Sequence, residues 1–396
     1  MNIILFDQAS IRENLKPLSL TRPVARLRVG ILTIEEKWQK YLSESETTFL
    51  VPSYLSSKFK TNYGQENLYI ASHLLPSTQL AEQITNLKIN EGFVINGEMA
   101  IFKSNEKLIY PLQVPIEIAG KDYIEDVTCI NQLPDLFLNN GSQIGSDYEL
   151  VTAGRVSEGI QDEGSRVYNP DNVFLEKGVH MRACTINAEN GPVYIGKNAI
   201  IQENSLIIGP ACIGENAMVA FGAKIRYNTT LGPGTRVGGE VGNTVFLGNA
   251  NKAHDGFLGN SVIGEWCNLG ANTNNSNLKN NYKNVSLYNY GEKDLKDTGE
   301  MFCGVFMGDF TKTGISTMIN TGSVFGVSSN IYGAGFQAKF VPSFSWGGKA
   351  EGYLPYRFDK AIEVINATMA RREKSLTNDE VEILKYINEN KEPDAV

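Results

Sequence analysis

The chain has 396 residues, 42% of them hydrophobic and 20% charged, enough for two or three globular domains. A net charge of −8 excludes the basic face that a nucleic-acid partner needs, but leaves room for a small phosphorylated substrate held by a few Arg or Lys. No apolar run approaches the ~18 residues of a membrane span.

The opening MNIILFDQAS has no basic region and reads as a first buried strand, NIILF, rather than a secretion signal. The loop that follows carries Arg12, Lys16, Arg22, Arg26 and Arg28. GILTIEEKWQKYLSE predicts an amphipathic helix, TTFLV a strand, STQLAEQITNL a second helix and GFVINGEMAIFK a hairpin. Strand, loop and helix in this order predict a Rossmann-like α/β domain over residues 1–140, with its loop at the strand's carboxyl end.

A six-residue repeat then takes over. From Ile195 every sixth residue is aliphatic: Ile201, Ile207, Ile213, Val219, Ile225, Leu231 and Val237. Two places earlier the residues are mostly small, as at Ala199, Ser205, Ala211, Ala217 and Ala223. A period of six fits neither a 3.6-residue helix nor a long alternating strand. It predicts short strands joined by turns around a common axis, three to a coil, with Gly196, Gly214, Gly232 and Gly238 permitting the turn geometry. The track continues with shifted register as Val241, Leu247 and Ala253, then Phe257, Ile263 and Leu269, and later as Met307, Thr313, Ile319, Phe325 and Ile331. The polar interruption from about 272 to 304 is expected to fold over a site. The β-helix is placed at 141–340 and a helical tail at 341–396. In the tail, Phe358, Ile362, Ile365 and Met369 line one face, and Thr377 with Glu380 forms a capping box. These helices are expected on the end or side of the prism.

The five cysteines, Cys129, Cys184, Cys212, Cys267 and Cys303, are scattered and form no C-x-x-C pair. They predict reduced thiols in a cytoplasmic protein, not a disulfide or zinc framework. Of three histidines, His73 and His180 read as structural. His254 lies where the repeat breaks, among small and polar neighbours, so its ring can project from a turn.

The segment NKAHDGFLGNSVIGEWCNLGANTNNSN resembles the acetyltransferase half of the bifunctional bacterial enzymes that make UDP-N-acetylglucosamine. The matching elements are His254, Phe257, Leu258-Gly259, Ile263-Gly264 and the run Asn268 to Thr273. The resemblance covers about residues 190 to 340 and implies a left-handed parallel β-helix using acetyl-CoA. It implies His254 as proton acceptor and Glu240 as its catalytic partner. It assigns the amino-sugar phosphate to Arg226, Asn268, Asn277 and Lys283, and acetyl-CoA to Ala271, Asp309 and Thr321. It further implies a homotrimer with sites between neighbouring prisms. The residue types suit the chemistry, because an amine attacking a thioester must lose a proton to a base active near neutrality.

The stretch LKPLSLTRPVARLRVGILTI resembles the phosphate loop of sugar-1-phosphate nucleotidyltransferases, without a Gly-x-Gly ahead of Arg12 and with Val24 where a Lys follows the Pro. The whole chain looks like a variant of the bifunctional enzyme with a shortened first domain. That resemblance implies UTP contacts by Arg12, Arg22, Arg26 and Arg28, and Mg²⁺ with unknown ligands if that half is active. Glu98 is a candidate metal carboxylate, though an ordinary hairpin residue is the favoured reading. Three functions stand at this point: acetyl transfer to glucosamine-1-phosphate coupled to uridylyl transfer, nucleotidyl transfer with the prism as scaffold, or a non-catalytic binding subunit.

Overall fold

A computed structural model describes residues 2–42 and 46–395. The first domain is a mixed sheet in the order β2-β1-β3-β5-β4-β6. Its strands are β1 (Asn2–Phe6), β2 (Glu46–Leu50), β3 (Asn67–Ala71), β4 (Glu91–Ile95), β5 (Glu98–Ser104) and β6 (Ala119–Asp122). Helices α1 (Ala9–Asn14), α2 (Ile34–Tyr41) and α3 (Thr78–Thr85) connect them. β1 runs parallel to both β2 and β3, so the chain reverses direction across the sheet between β1 and β3. The expected hairpin is β4 and β5, antiparallel around Asn96-Gly97.

The helix expected from Gly30 begins only at Ile34, and the last two residues of that expectation, 43 and 44, lie outside the described residues. Thr33 sets the start with a full capping box, accepting from the Glu36 N–H at 3.2 Å while its own N–H donates to Glu36 at 2.7 Å. The preceding residues are held by a neighbour instead: Gly30 N–H donates to Asn140 Oδ1 and Ile31 N–H to Asp147 Oδ2.

The second domain is the three-sided prism. Thr185–Asn187, Leu206–Ile208 and Lys224–Ile225 stack in parallel on face one. Val193–Ile195, Ala211–Ile213 and Thr229–Leu231 form face two. Ile200–Ile201, Met218–Val219 and Arg236–Val237 form face three. All eight aliphatic residues of the repeat are at most 1% exposed and close one axial core.

Two expectations are corrected here. The four glycines after the aliphatic residues are not in the left-handed region, where asparagines such as Asn216, Asn228 and Asn249 serve instead. They are required because successive coils touch: a Cβ on Gly214 would lie 2.7 Å from Leu231 O, and one on Gly232 2.2 Å from Leu247 O. The inward track after Val237 also differs. It runs Val241, Phe246 and Lys252, then Leu258, Ile263 and Leu269. Strands Glu240–Phe246 and Phe257–Ile263 turn the corner between faces one and two without a break, with Asn243 and Asn260 at positive φ. The corner is one residue shorter, so Leu247 faces outward, Phe257 stays partly exposed, and a lysine falls on the axis.

Face two is covered by the first domain. Val245, Val262, Phe306, Val324 and Phe340 belong to the same core as the sheet, with Leu136 and Phe137 of α4 (Asp135–Leu138) among them. Helix α5 (Asn140–Thr152) lies on the same face, and its Asp147 pairs with buried Lys37 of α2. The interruption is neither disordered nor a simple lid. Its hairpin, Ser286–Asn289 with Asp294–Asp297, lodges in the domain seam. There Tyr288 stacks on Phe340 at 3.7 Å, and Asn289 donates to Asn14. The tail helices α6 (Phe358–Ala370) and α7 (Asn378–Glu389) fill the angle between the two domains, with Tyr386 stacked on Tyr54 at 4.1 Å.

Candidate functional sites

The corner between faces three and one is built by residues 253 to 256, which join strand Asn251–Lys252 to Phe257. His254 is exposed there. The corner is stacked between neighbouring coils: Glu240 N–H donates to Gly256 O at 3.2 Å, and Asn272 N–H to Asp255 O at 2.9 Å. Ala271 therefore sits in the same corner, one coil further on. On face one, Glu240 pairs in register with Phe257 and holds Arg226 at 3.2 Å, both side chains roughly two-fifths exposed. Asn277 donates to Asn260 at 2.8 Å beyond the same strand, and Lys283 is exposed on the following loop. The structure thus gathers Arg226, Glu240, His254, Ala271 and Asn277 along one edge and its adjoining face.

Three other expected residues lie elsewhere. Asn268 is on face three in an amide ladder with Asn251, at 2.8 Å. Thr321 is 3% exposed, in the corner between faces one and two. Asp309 is also 3% exposed and occupies the corner between faces two and three. Its carboxylate accepts from Thr21 at 2.6 Å and is ion-paired with Arg22, which also reaches Glu265 at 3.0 Å. Burial pushes the Asp309 carboxyl up and Arg22 pulls it back. Sequence reading sent Arg22 and Asp309 to different ligands. In this chain they bind each other and pin the first domain to the prism.

At the carboxyl end of β1 the expected phosphate loop is packed shut. Asp7 and Arg12 are 1% and 3% exposed and pair at 2.6 Å. Arg12 also donates to Tyr54 Oη at 2.7 Å and to the carbonyls of Ser19 and Arg22. Its guanidinium is committed inside the domain rather than open to a triphosphate, because α1 and its loop fill the space a Gly-rich turn would leave. Arg26 and Arg28 differ: they border a cavity of about 490 Å³ shared with Lys58, Lys60, Trp266 and α7. Arg26 pairs with Glu35 at 2.7 Å and stays half exposed. The donor set for Mg²⁺ does not fit, since Asp7 is tied to Arg12 and Glu98 stands alone against Gln8 at 2.8 Å. Among the described residues no group of three His, Cys, Asp or Glu is placed to hold a metal.

Two features escaped sequence reading. The buried Lys37–Asp147 pair had no local signal. Lys252 on the inward track had no signal either, because an eighteen-residue coil counted back from Leu269 lands on Asn251 and only the shortened corner at Asn260 moves the track to Lys252.

The fold is a two-domain one, a mixed α/β sheet joined to a three-sided parallel β-helix. Residues 3–156 match the family described as sugar nucleotidyl transferase. The chain is similar to bifunctional GlmU proteins. It is 23% identical over 334 residues to that of Wigglesworthia glossinidia brevipalpis, covering 82% of this chain and 60% of the relative. It is 34% identical over 265 residues to that of Methanococcus vannielii, covering 65% and 58%. The chain thus spans under two thirds of these relatives' length. Among solved structures, an Arabidopsis UDP-N-acetylglucosamine acyltransferase aligns at 15% identity and TM-score 0.29, covering 58% of this chain and 89% of that one.

Proposed function

We propose that the prism transfers the acetyl group of acetyl-CoA to the amine of an amino-sugar phosphate, glucosamine-1-phosphate in particular, with His254 as the base. The observation that carries this is the exposed His254 on a corner adjoining the Arg226–Glu240 pair. The amine nitrogen attacks the thioester carbon, its proton passes to His254, and the departing thiolate of CoA takes that proton. Arg226 supplies a cation for the sugar phosphate, and Glu240 keeps Arg226 in place and favours the protonated ring. Asn277 and Lys283 extend the sugar side, and Ala271 lines the cofactor side.

A flat prism edge makes no pocket by itself. Face two lies under the first domain, whereas the edge beside His254 and face one expose Phe221 (75%), Ile315 (80%), Met318 (42%) and Phe336 (47%). A second prism against these residues would close the site, which supports a homotrimer. Light scattering should then read three times 43.6 kDa. A monomer at working concentration would argue against a shared site.

The relationship to GlmU proteins supports uridylyl transfer as the coupled activity, giving UDP-N-acetylglucosamine in the cytoplasm. Here the cavity bordered by Arg22, Arg26, Arg28 and Lys60 is the place where a triphosphate would meet cations, with Arg22 already paired there with Asp309 and Glu265 and Arg12 buried against Asp7. A coupled assay with glucosamine-1-phosphate, acetyl-CoA, UTP and Mg²⁺, each omitted in turn, separates the two activities. Free CoA should appear without UTP. Release of pyrophosphate with no release of CoA would instead favour nucleotidyl transfer with the prism as scaffold.

A further inference from the structure

The cavity of about 490 Å³ lies where three parts of the chain meet: β2 with the loop after it, the prism corner at Glu265 and Asp309, and the start of α7. Its lining carries five cationic and five carboxylate side chains. The charges balance in the free chain, so a polyphosphate finds cations there only where a carboxylate gives one up. The pairs differ in how readily they exchange. Arg22 and Asp309 are 9% and 4% exposed, and separating them would leave a bare charge inside the seam. Arg26 and Arg28 are held within their own domain, by Glu35 at 2.7 Å and by Glu36 at 3.7 Å. Lys58 and Glu380 meet at 2.8 Å from opposite ends of the chain, and their side chains are 35% and 26% exposed. A pair that solvent already reaches is weak, and a phosphate group carries more charge than the carboxylate it would replace.

Local structure presents Lys58 to the cavity. Phe59 is 9% exposed and packs edge-on against Phe49 at 5.8 Å, while Phe49 N–H donates to Lys60 O at 3.3 Å. With Phe59 inside, its neighbours Lys58 and Lys60 stand exposed at the cavity wall. Glu265 marks where the cations converge: against its own desolvation, Arg22, Lys58 and Arg28 hold its carboxyl below the usual range. Glu380 reaches the same place from the tail. One of its carboxylate oxygens closes the capping box of α7, accepting from Thr377 N–H at 2.8 Å, and the other takes Lys58.

We propose that Lys58 is a phosphate-binding residue of this cavity and that Glu380 is a built-in competitor for it. A nucleoside triphosphate enters by taking Lys58 from the Glu380 carboxylate, so the tail helix sets the affinity of the first domain for its phosphate ligand. The inference rests on the reading above that places a triphosphate in the cavity. No covalent bond is made or broken in the exchange: one ion pair replaces another, and Glu380 keeps its capping oxygen on Thr377.

Glu380→Gln removes the charge and keeps the capping box, which Gln also closes. Calorimetric titration of the full chain with UTP, in EDTA so that the phosphates keep their full charge, compares the parent, Glu380→Gln, Lys58→Met, the double variant and Lys60→Met. Glu380→Gln should lower Kd about two- to fivefold, the range that a partly exposed ion pair spans, with the melting temperature little changed. Lys58→Met should raise Kd, and in its background Glu380→Gln should bring a smaller gain. A Kd that Glu380→Gln leaves unmoved or raises would overturn the proposal, and so would a Kd that Lys58→Met leaves unmoved. An equal gain with and without Lys58 would overturn it too, by making Glu380 a bystander that only repels the phosphates. UTP binding indifferent to Lys60→Met, or no binding at all, would instead sink the placement of the triphosphate, and the proposal with it.

Discussion

His73 and His254 both follow strands, one in each domain, and their surroundings are opposite. His73 follows β3 at the carboxyl edge of the sheet, is 7% exposed, and has an Nδ1 with no partner. Burial pushes its pKa down to about 4. His254 stands on a prism corner, exposed, with Arg226 and Glu240 close by on the adjoining face. The sheet has turned its edge into core, with Asp7 and Arg12 consuming each other, whereas the prism leaves His254, Arg226 and Glu240 outside its axial core. The difference teaches that a chemistry-bearing residue type says little until its depth is known, and that two linked domains can divide the burden of stability and chemistry unequally.

The comparison can be broken most violently in the prism. Ile207→Asp would put an unpaired carboxylate on the axis at a fully buried position, a penalty of several kcal/mol. Because face two shares a core with the sheet, both domains should unfold together, read as loss of a single cooperative transition by calorimetry. A soluble variant with the parent melting curve would show the register to be wrong.

Next comes His254→Ala, expected to lower acetyl transfer by about 10²–10⁴-fold with no change in melting temperature, since the ring is exposed. The defect should shrink at high pH, where the substrate amine is already neutral. Full activity in this variant would move the chemistry away from the corner.

Arg22→Ala tests the seam. It leaves Asp309 buried without its cation, a loss of about 3–5 kcal/mol, and should split the single unfolding transition into two. Weakened UTP binding with unchanged stability would instead return Arg22 to the phosphate role.

The smallest effect concerns His73. Its folded pKa lies below the ordinary 6.5, so the unfolded chain binds more protons in the interval. Stability is therefore full above pH 6.5 and is lost as pH falls toward 4, by at most about 3 kcal/mol. His73→Leu should flatten that slope in urea titrations between pH 6.5 and 4. An unchanged slope would mean that other groups carry the acid sensitivity.

Much of this was legible in the residues. Period six marked the prism because only inward side chains repeat on its axis, and Thr377 with Glu380 marks a helix start that the structure keeps. The shortened corners at Asn243 and Asn260 were not legible, since a one-residue contraction looks like any other shift in an aliphatic track. Of the expected site, Arg226, Glu240, His254 and Ala271 fall together because coils stack at near-constant spacing, so sequence separation maps onto height along the prism.

What local sequence determined by itself was therefore the repeating part, where each contact lies one coil away and spacing is geometry. What only the tertiary structure decided was the fate of charges between elements far apart in the chain: Arg22 with Asp309, Lys37 with Asp147, and Lys252 beneath the His254 carbonyl. A charge binds whichever opposite charge or dipole the fold brings within a few ångström, and no pattern along the chain encodes that distance.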